Sequence, residues 1–308
     1  MDILLVAGGL IGLYFGAEWL LRSAVALSRR LEIPALLVSL VVVGFGTSLP
    51  ELIVSLRAAA SGSSGLVVGN VVGSNIANIL LIIGIGTVIY PMKDWNGSVK
   101  RDALMVLAAA VLMLVLVQFG MIGRAAGFAM AAFLAAYLGY TYVKLKAEKA
   151  DRQLEKIEGE ELPWLATAGL LIGSLATLFI AAEMLVRGAT NLAADFGVSE
   201  AVIGLTVVAV GTSLPELATA VVAALNRHSD IAIGNVVGSN IFNILFVLGL
   251  TAMVLPVPVA PRFSSFDVPV MLAATVIFAT AIFVDRPVRR IFGVILLALY
   301  AAYTILVI

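Results

Sequence analysis

The stretch Gly46-Thr47-Ser48-Leu49-Pro50-Glu51 returns as Gly211-Thr212-Ser213-Leu214-Pro215-Glu216. Gly69-Asn70-Val71-Val72-Gly73-Ser74-Asn75-Ile76 returns as Gly234-Asn235-Val236-Val237-Gly238-Ser239-Asn240-Ile241. Both displacements are 165 residues, and the same offset carries Glu18 to Glu183, Arg22 to Arg187, Pro91 to Pro256, Asp102 to Asp267 and Arg124 to Arg289. Similarity at one fixed offset over so many positions marks an internal repeat. It aligns residues 1–143 with 166–308 almost without gaps.

Around these motifs the chain is overwhelmingly apolar: 62% hydrophobic and 12% charged, with mean hydropathy +1.11. Soluble domains carry about 25% charged residues, so the chain reads as a polytopic membrane protein. Nineteen Lys and Arg balance nineteen Asp and Glu, which leaves no basic surface for a nucleic acid. There is no cysteine and one histidine, His228, so disulfides, thiolate metal centres, histidine-based zinc sites and catalytic triads are excluded. No nucleotide-binding loop or nucleophile–base set is present either, and neither enzymatic activity nor a cofactor is expected.

Ten apolar stretches have the length of a membrane span, which needs about 20 residues. They fall near 3–28, 33–60, 65–90, 103–119, 125–143, 163–188, 201–225, 231–255, 268–284 and 291–308. The first lacks a basic leader, carries Asp2, Glu18 and Arg22, and is expected to remain as a helix rather than a cleaved signal. Five spans per half is an odd number, so the second half enters the membrane upside down. The expected fold is therefore all-α and polytopic, with ten transmembrane helices as two inverted five-helix repeats. The first repeat covers 1–143, a charged cytoplasmic linker 144–162, and the second repeat 163–308. With the N-terminus outside, fourteen Lys and Arg lie in inside connections and three (Arg57, Arg124 and Arg262) in outside ones. The positive-inside rule then places both termini outside.

The duplicated motifs supply the chemistry. Pro50 cannot donate to Gly46, nor Pro215 to Gly211, and each glycine relaxes the backbone, so both helices should break in mid-span and free carbonyl oxygens. Such backbone survives at membrane depth only inside protein or beside a wet cavity. Glu51 and Glu216 follow the prolines at once, without an obvious basic partner in their own spans. An intramembrane carboxylate is expensive and marks function; an exchangeable cation is its simplest compensation. Ser74 and Asn78 lie four apart, as do Ser239 and Asn243, Thr47 and Glu51, and Thr212 and Glu216, so each pair projects from one helix face. Two carboxylates with hydroxyl, amide and carbonyl oxygens form a hard-cation set, suited to Ca²⁺ and Na⁺ rather than Zn²⁺ or Cu⁺. Two glutamates neutralise one Ca²⁺ or two Na⁺, and a third Na⁺ makes exchange electrogenic.

Other features have plainer readings. Gly69, Gly73, Gly234 and Gly238, and Gly8, Gly12 and Gly16 on the first span, suit close helix packing. Asn70, Asn75, Asn235 and Asn240 either cross-link helices or reach the ions. Glu18 and Glu183 each precede an arginine by four residues, the spacing of a self-neutralising pair. Trp95 and Trp164 read as interfacial anchors, and His228 as a loop residue.

These motifs resemble the two alpha repeats of the sodium/calcium exchanger family, within the calcium:cation antiporter superfamily, in its compact prokaryotic form. The resemblance covers essentially the whole chain. It implies four central ion sites in a diamond and alternating access in which the first and sixth helices slide over a rigid core. The implied ligands are Thr47, Ser48, Glu51, Ser74 and Asn78, then Thr212, Ser213, Glu216, Ser239 and Asn243, with the carbonyls of Gly44 and Ala209. Ca²⁺ and Na⁺ would occupy them in turn. Many members have an acidic residue where this chain has Asn243, so one carboxylate fewer serves the site here. The expected activity is Ca²⁺/Na⁺ antiport, with Ca²⁺/H⁺ exchange on the same glutamates, or K⁺ as a co-substrate, as alternatives and a cation channel as a remote one. The expected partners are the transported ions and the lipid bilayer, with no nucleic acid and no obligate protein.

Overall fold

A computed structural model describes residues 1–91, 97–149, 162–196, 209–284 and 288–307. The expectations that fall on the remaining residues, among them Trp95, most of the charged linker and the start of the seventh span, lie outside the described residues. The helices are α1 (Asp2–Leu31), α2 (Ala35–Ala60), α3 (Ser64–Ile89), α4 (Gly97–Val117), α5 (Arg124–Lys149) and α6 (Trp164–Asp195). A short turn, Ala209–Gly211, precedes α7 (Leu214–Leu225); then come α8 (Ser229–Val254), α9 (Phe263–Phe283) and α10 (Arg290–Val307). Eight helices among the described residues are long and apolar enough to cross a membrane. The start of the expected linker, 144–149, continues α5 as helix.

Local chemistry sets the helix ends. α1 opens on Asp2 and closes on Arg29 and Arg30, charges that complement the helix dipole at each end. It stops at Glu32, whose φ of 53° is left-handed, and Pro34 then caps the start of α2. Elsewhere π-helical turns interrupt the α-helical pattern, at Ser39–Val43 in α2, Asn78–Ile82 in α3, Asn243–Leu248 in α8 and Phe263–Asp267 in α9.

Burial separates the helices into layers. The apolar window of α8 is 94% buried and that of α3 72%, against 28% for α1 and α6 and 11% for α10, so α3 and α8 form the centre. In a bilayer, helices associate through close packing of small residues rather than through hydrophobic drive, and glycines line the contacts seen here. A Cβ on Gly234 would lie 2.6 Å from the Leu36 carbonyl oxygen, and one on Gly44 would lie 3.0 Å from Gly238. α2 thus crosses α8 backbone to backbone. Gly8 faces Met184, Gly12 faces Ala181 and Gly16 faces Leu178; one numbering rises as the other falls, so α1 and α6 run antiparallel. Gly127 and Gly249 bring α5 onto α8, while Gly84 and Gly293 bring α3 onto α10.

Polar pins complete the frame. Tyr137 donates to Asp102 Oδ1 at 2.7 Å, and Arg101 Nε donates to the same oxygen at 2.6 Å. In the other half, Tyr303 donates to Asp267 Oδ1 at 3.1 Å and Arg262 to Oδ2 at 3.2 Å. Strands β1 (Met121–Ile122) and β2 (Val257–Pro258) pair antiparallel and tie the α4–α5 connection to the α8–α9 connection. Asn191 donates to Asp2 at 2.8 Å, joining the end of α6 to the start of α1. Glu18 reaches beyond its own helix and accepts Asn226 Nδ2 at 3.2 Å. Trp164 lies under Arg30, whose guanidinium carbon is 4.8 Å from the ring centre.

The α2–α8 crossing is directly testable. A Cβ at Gly238 collides with the backbone of Leu40, whereas one at Gly169 meets nothing. Gly238→Ala should destabilise the detergent-solubilised protein by about 1–3 kcal/mol, read as a lower thermal midpoint, while Gly169→Ala leaves the midpoint in place or raises it. An unchanged midpoint for Gly238→Ala would show a looser crossing.

A candidate cation site between two broken helices

The two GTSLPE motifs break their helices at equivalent serines. Ser48 has φ −82° and ψ 0° and Ser213 φ −89° and ψ 7°, outside the α-helical region. A new helical segment begins one residue later, with the proline in its first turn, where no N–H is needed. Glu51 and Glu216 therefore occupy the first turn of a half-helix, at the end whose dipole favours negative charge. Both are fully buried, 0% exposed. Arg57, further along α2, is exposed.

Each carboxylate has one oxygen engaged and one free. Glu51 Oε1 accepts Ser74 Oγ at 3.5 Å and Ser213 Oγ at 3.4 Å, one serine from each half of the chain. Glu216 Oε1 accepts Ser239 Oγ at 3.4 Å. Glu51 Oε2 and Glu216 Oε2 are buried without a hydrogen-bond partner. The partners of Oε1 are neutral hydroxyls, so the negative charge is left uncompensated by the protein atoms around it.

Ser239, the partner of Glu216, also meets two further expected ligands. Ser239 Oγ lies 3.2 Å from Thr47 Oγ1 and 3.5 Å from the Gly44 carbonyl oxygen, which also accepts the Ser48 N–H at 3.2 Å. Asn78 donates Nδ2 to Asn240 Oδ1 at 3.0 Å, and its own Oδ1 is unpartnered. Asn243 is 0% exposed, with neither Oδ1 nor Nδ2 engaged; Ser48 Oγ is likewise buried and unpartnered. Thr212 donates to Asn70 Oδ1 at 3.4 Å. Ala209 opens the turn that leads into α7, where the Ser213 N–H bonds the Val210 carbonyl at 3.1 Å.

Buried polar atoms without partners are rare, because each one forfeits its hydration. Here five unpartnered oxygens fall on the expected ligand residues: Glu51 Oε2, Glu216 Oε2, Asn78 Oδ1, Asn243 Oδ1 and Ser48 Oγ. Among the described residues no three His, Cys, Asp or Glu side chains come together, so a cation held here would rest on two carboxylates and neutral oxygens. That donor set fits Ca²⁺, which takes about 6–8 oxygens in flexible geometry.

Asn70 and Asn235 bridge the two halves through Thr212 and Thr47, in line with the cross-linking alternative. Two features were not legible beforehand. Asn78 and Asn243 each begin a π-helical turn, a distortion often found at functional sites. Phe45, Phe242 and Phe246 form an aromatic trio with centroids 5.3–6.3 Å apart. Their repeat equivalents are Val210, Ala77 and Leu81, so the trio has no aromatic counterpart under the repeat.

The profile of the family described as "Sodium/calcium exchanger protein" matches residues 1–145 and 166–308. "Inner membrane protein YrbG" of Escherichia coli (strain K12) is 40% identical over 279 residues, which cover 88% of this chain and 85% of that protein. "Sodium/calcium exchanger MaX1" of Methanosarcina acetivorans is 32% identical over 345 residues, covering 99% of this chain and 98% of that one. Among solved structures, the sodium-calcium exchanger NCX_Mj soaked with zero Na⁺ and Ca²⁺ superposes with a TM-score of 0.85 at 26% identity, over 100% of this chain and 99% of the other. The family match, the two broken helices and the paired buried glutamates lead to one conclusion: the chain belongs to the sodium/calcium exchanger family.

Proposed function

We propose that the chain is a secondary antiporter that exchanges Ca²⁺ for Na⁺ by alternating access and extrudes Ca²⁺ across a prokaryotic cytoplasmic membrane. The observation that carries this reading is the set of buried, unpartnered oxygens on Glu51, Glu216, Ser48, Asn78 and Asn243. Glu51 and Glu216 bind Ca²⁺ directly and share their oxygens with Na⁺ in the competing state. Two negative charges cannot stabilise a full complement of both ions in a low-dielectric interior, so occupation by one excludes the other. Mutual exclusion at one site is what converts two leaks into an exchange. Thr47, Thr212, Ser74, Ser239 and Ser213 add hydroxyl oxygens, and the Gly44 and Ala209 carbonyls line the breaks.

The architecture proposed to support this cycle is ten transmembrane helices in two inverted repeats, with both termini outside. The antiparallel course of α1 and α6, which are repeat equivalents, favours inversion. So do contacts that join segments expected on one face: β1 with β2, and Asp2 with Asn191.

In proteoliposomes, an outward Na⁺ gradient at fixed pH should drive saturable Ca²⁺ uptake that stops when Na⁺ is withheld. Uptake driven by a pH gradient alone would instead assign protons to the glutamates, and flux without any trans ion would indicate a channel. Glu51→Gln and Glu216→Gln should each lower Na⁺-driven uptake by about 100-fold or more, since each removes charge-assisted ligation of a desolvated divalent ion. The variants should still insert and purify as folded protein; normal uptake by either would make its glutamate structural. Asn243→Asp adds a third carboxylate where an amide now has no partner. It should shift the reversal potential of exchange, and an unchanged potential would show that position 243 does not set the stoichiometry.

A further inference from the structure

Asn70 and Asn235 occupy equivalent places in α3 and α8, and each makes the same pair of contacts. Asn70 Nδ2 donates to the backbone carbonyl of Glu51 at 3.0 Å and lies 3.0 Å from Ser55 Oγ. Its Oδ1 accepts the Thr212 hydroxyl at 3.4 Å. Asn235 Nδ2 donates to the carbonyl of Glu216 at 3.4 Å, and its Oδ1 accepts the Thr47 hydroxyl at 3.2 Å. A carbonyl can only accept, so the orientation of each amide is fixed: nitrogen towards the glutamate backbone, oxygen towards the threonine. Each asparagine thereby links the glutamate of its own half to the threonine of the other half. Asn235 is fully buried and Asn70 partly so.

A hydroxyl binds a cation through its lone pairs and must send its proton elsewhere. In a buried site that proton needs a fixed acceptor, or it turns towards the ion and opposes binding. We infer that Asn70 and Asn235 are positioning residues that accept the Thr212 and Thr47 protons, turning both hydroxyl oxygens towards the cation and coupling each to the glutamate of the opposite half. The inference rests on the reading of this site as a Ca²⁺ site. Because the two chains of hydrogen bonds run in opposite senses, Glu51–Asn70–Thr212 and Glu216–Asn235–Thr47, a shift of either half-helix reaches the ligands of both.

Equilibrium binding of ⁴⁵Ca²⁺ to the purified full chain tests this, with Asn70→Ala, Thr212→Val, Thr47→Val and the double variants. Each single change should weaken Ca²⁺ binding roughly three- to tenfold, the scale of one buried hydrogen bond converted to affinity. Asn70→Ala with Thr212→Val should bind no worse than Thr212→Val alone, since the asparagine has then lost the hydroxyl it orients. Asn70→Ala with Thr47→Val should multiply, because those residues belong to separate chains. Multiplication in the first pair, or an unweakened Asn70→Ala, overturns the inference, because a merely structural asparagine would not depend on which threonine is present. If Asn70→Ala does not fold, the same cycle on Asn235→Ala with Thr47→Val decides the matter. Failure of the unmodified chain to bind Ca²⁺ would instead remove the reading of the site itself.

Discussion

A carboxylate placed inside a bilayer without a counter-charge is the constraint from which the remaining architecture follows. Glu51 and Glu216 are wholly buried, and serine hydroxyls are the hydrogen-bond partners of their engaged oxygens. Desolvating such a group costs several kcal/mol on any scale, and the protein offsets part of that by local means. Breaking α2 and the segment before α7 at Ser48 and Ser213 turns each glutamate into a first-turn residue, where a half-helix dipole favours negative charge. The same breaks require irregular backbone at membrane depth, which survives only when shielded from lipid. α3 and α8, the most buried helices, provide that shield and carry the polar side chains facing it.

Shielding at this range demands small residues. Gly234 and Gly238 let α2 lie on α8 with carbonyls almost in contact with the facing Cα atoms, so Thr47 and Gly44 of one half come within hydrogen-bond range of Ser239 of the other. The glycine motif and the polar motif are interleaved in the same eight residues for this reason. One sets the distance at which the other can act.

Much of this was legible in the residues. The 165-residue offset exposed the duplication, proline and glycine located the breaks, and the position of Glu51 and Glu216 after Pro50 and Pro215 singled out the two charges that matter. Those are local signals, carried by backbone chemistry and periodicity. The π-helical turns at Asn78 and Asn243 left no such trace, since an extra residue in a helical turn has no composition of its own. The partners of Asn70, Asn235 and Glu18 lie 142, 188 and 208 residues away, and such pairings depend on tertiary docking rather than on spacing. The short β1–β2 ladder was invisible for the same reason. Fragments of two residues carry no alternation to read.

The π-helical turns of α3 and α8 have a consequence for how such a protein can change. An α-helix advances about 100° per residue, and a turn that absorbs one residue more rotates everything beyond it by roughly that angle. Up to the start of the turn, α3 and α8 carry the expected ligands Ser74, Asn78, Ser239 and Asn243. After it they present Gly84 to α10 and Gly249 to α5. The two faces are thus indexed separately along one rod. Substitutions before the turn leave the angular register of the outer packing untouched, so the polar face can change while the bundle keeps its shape.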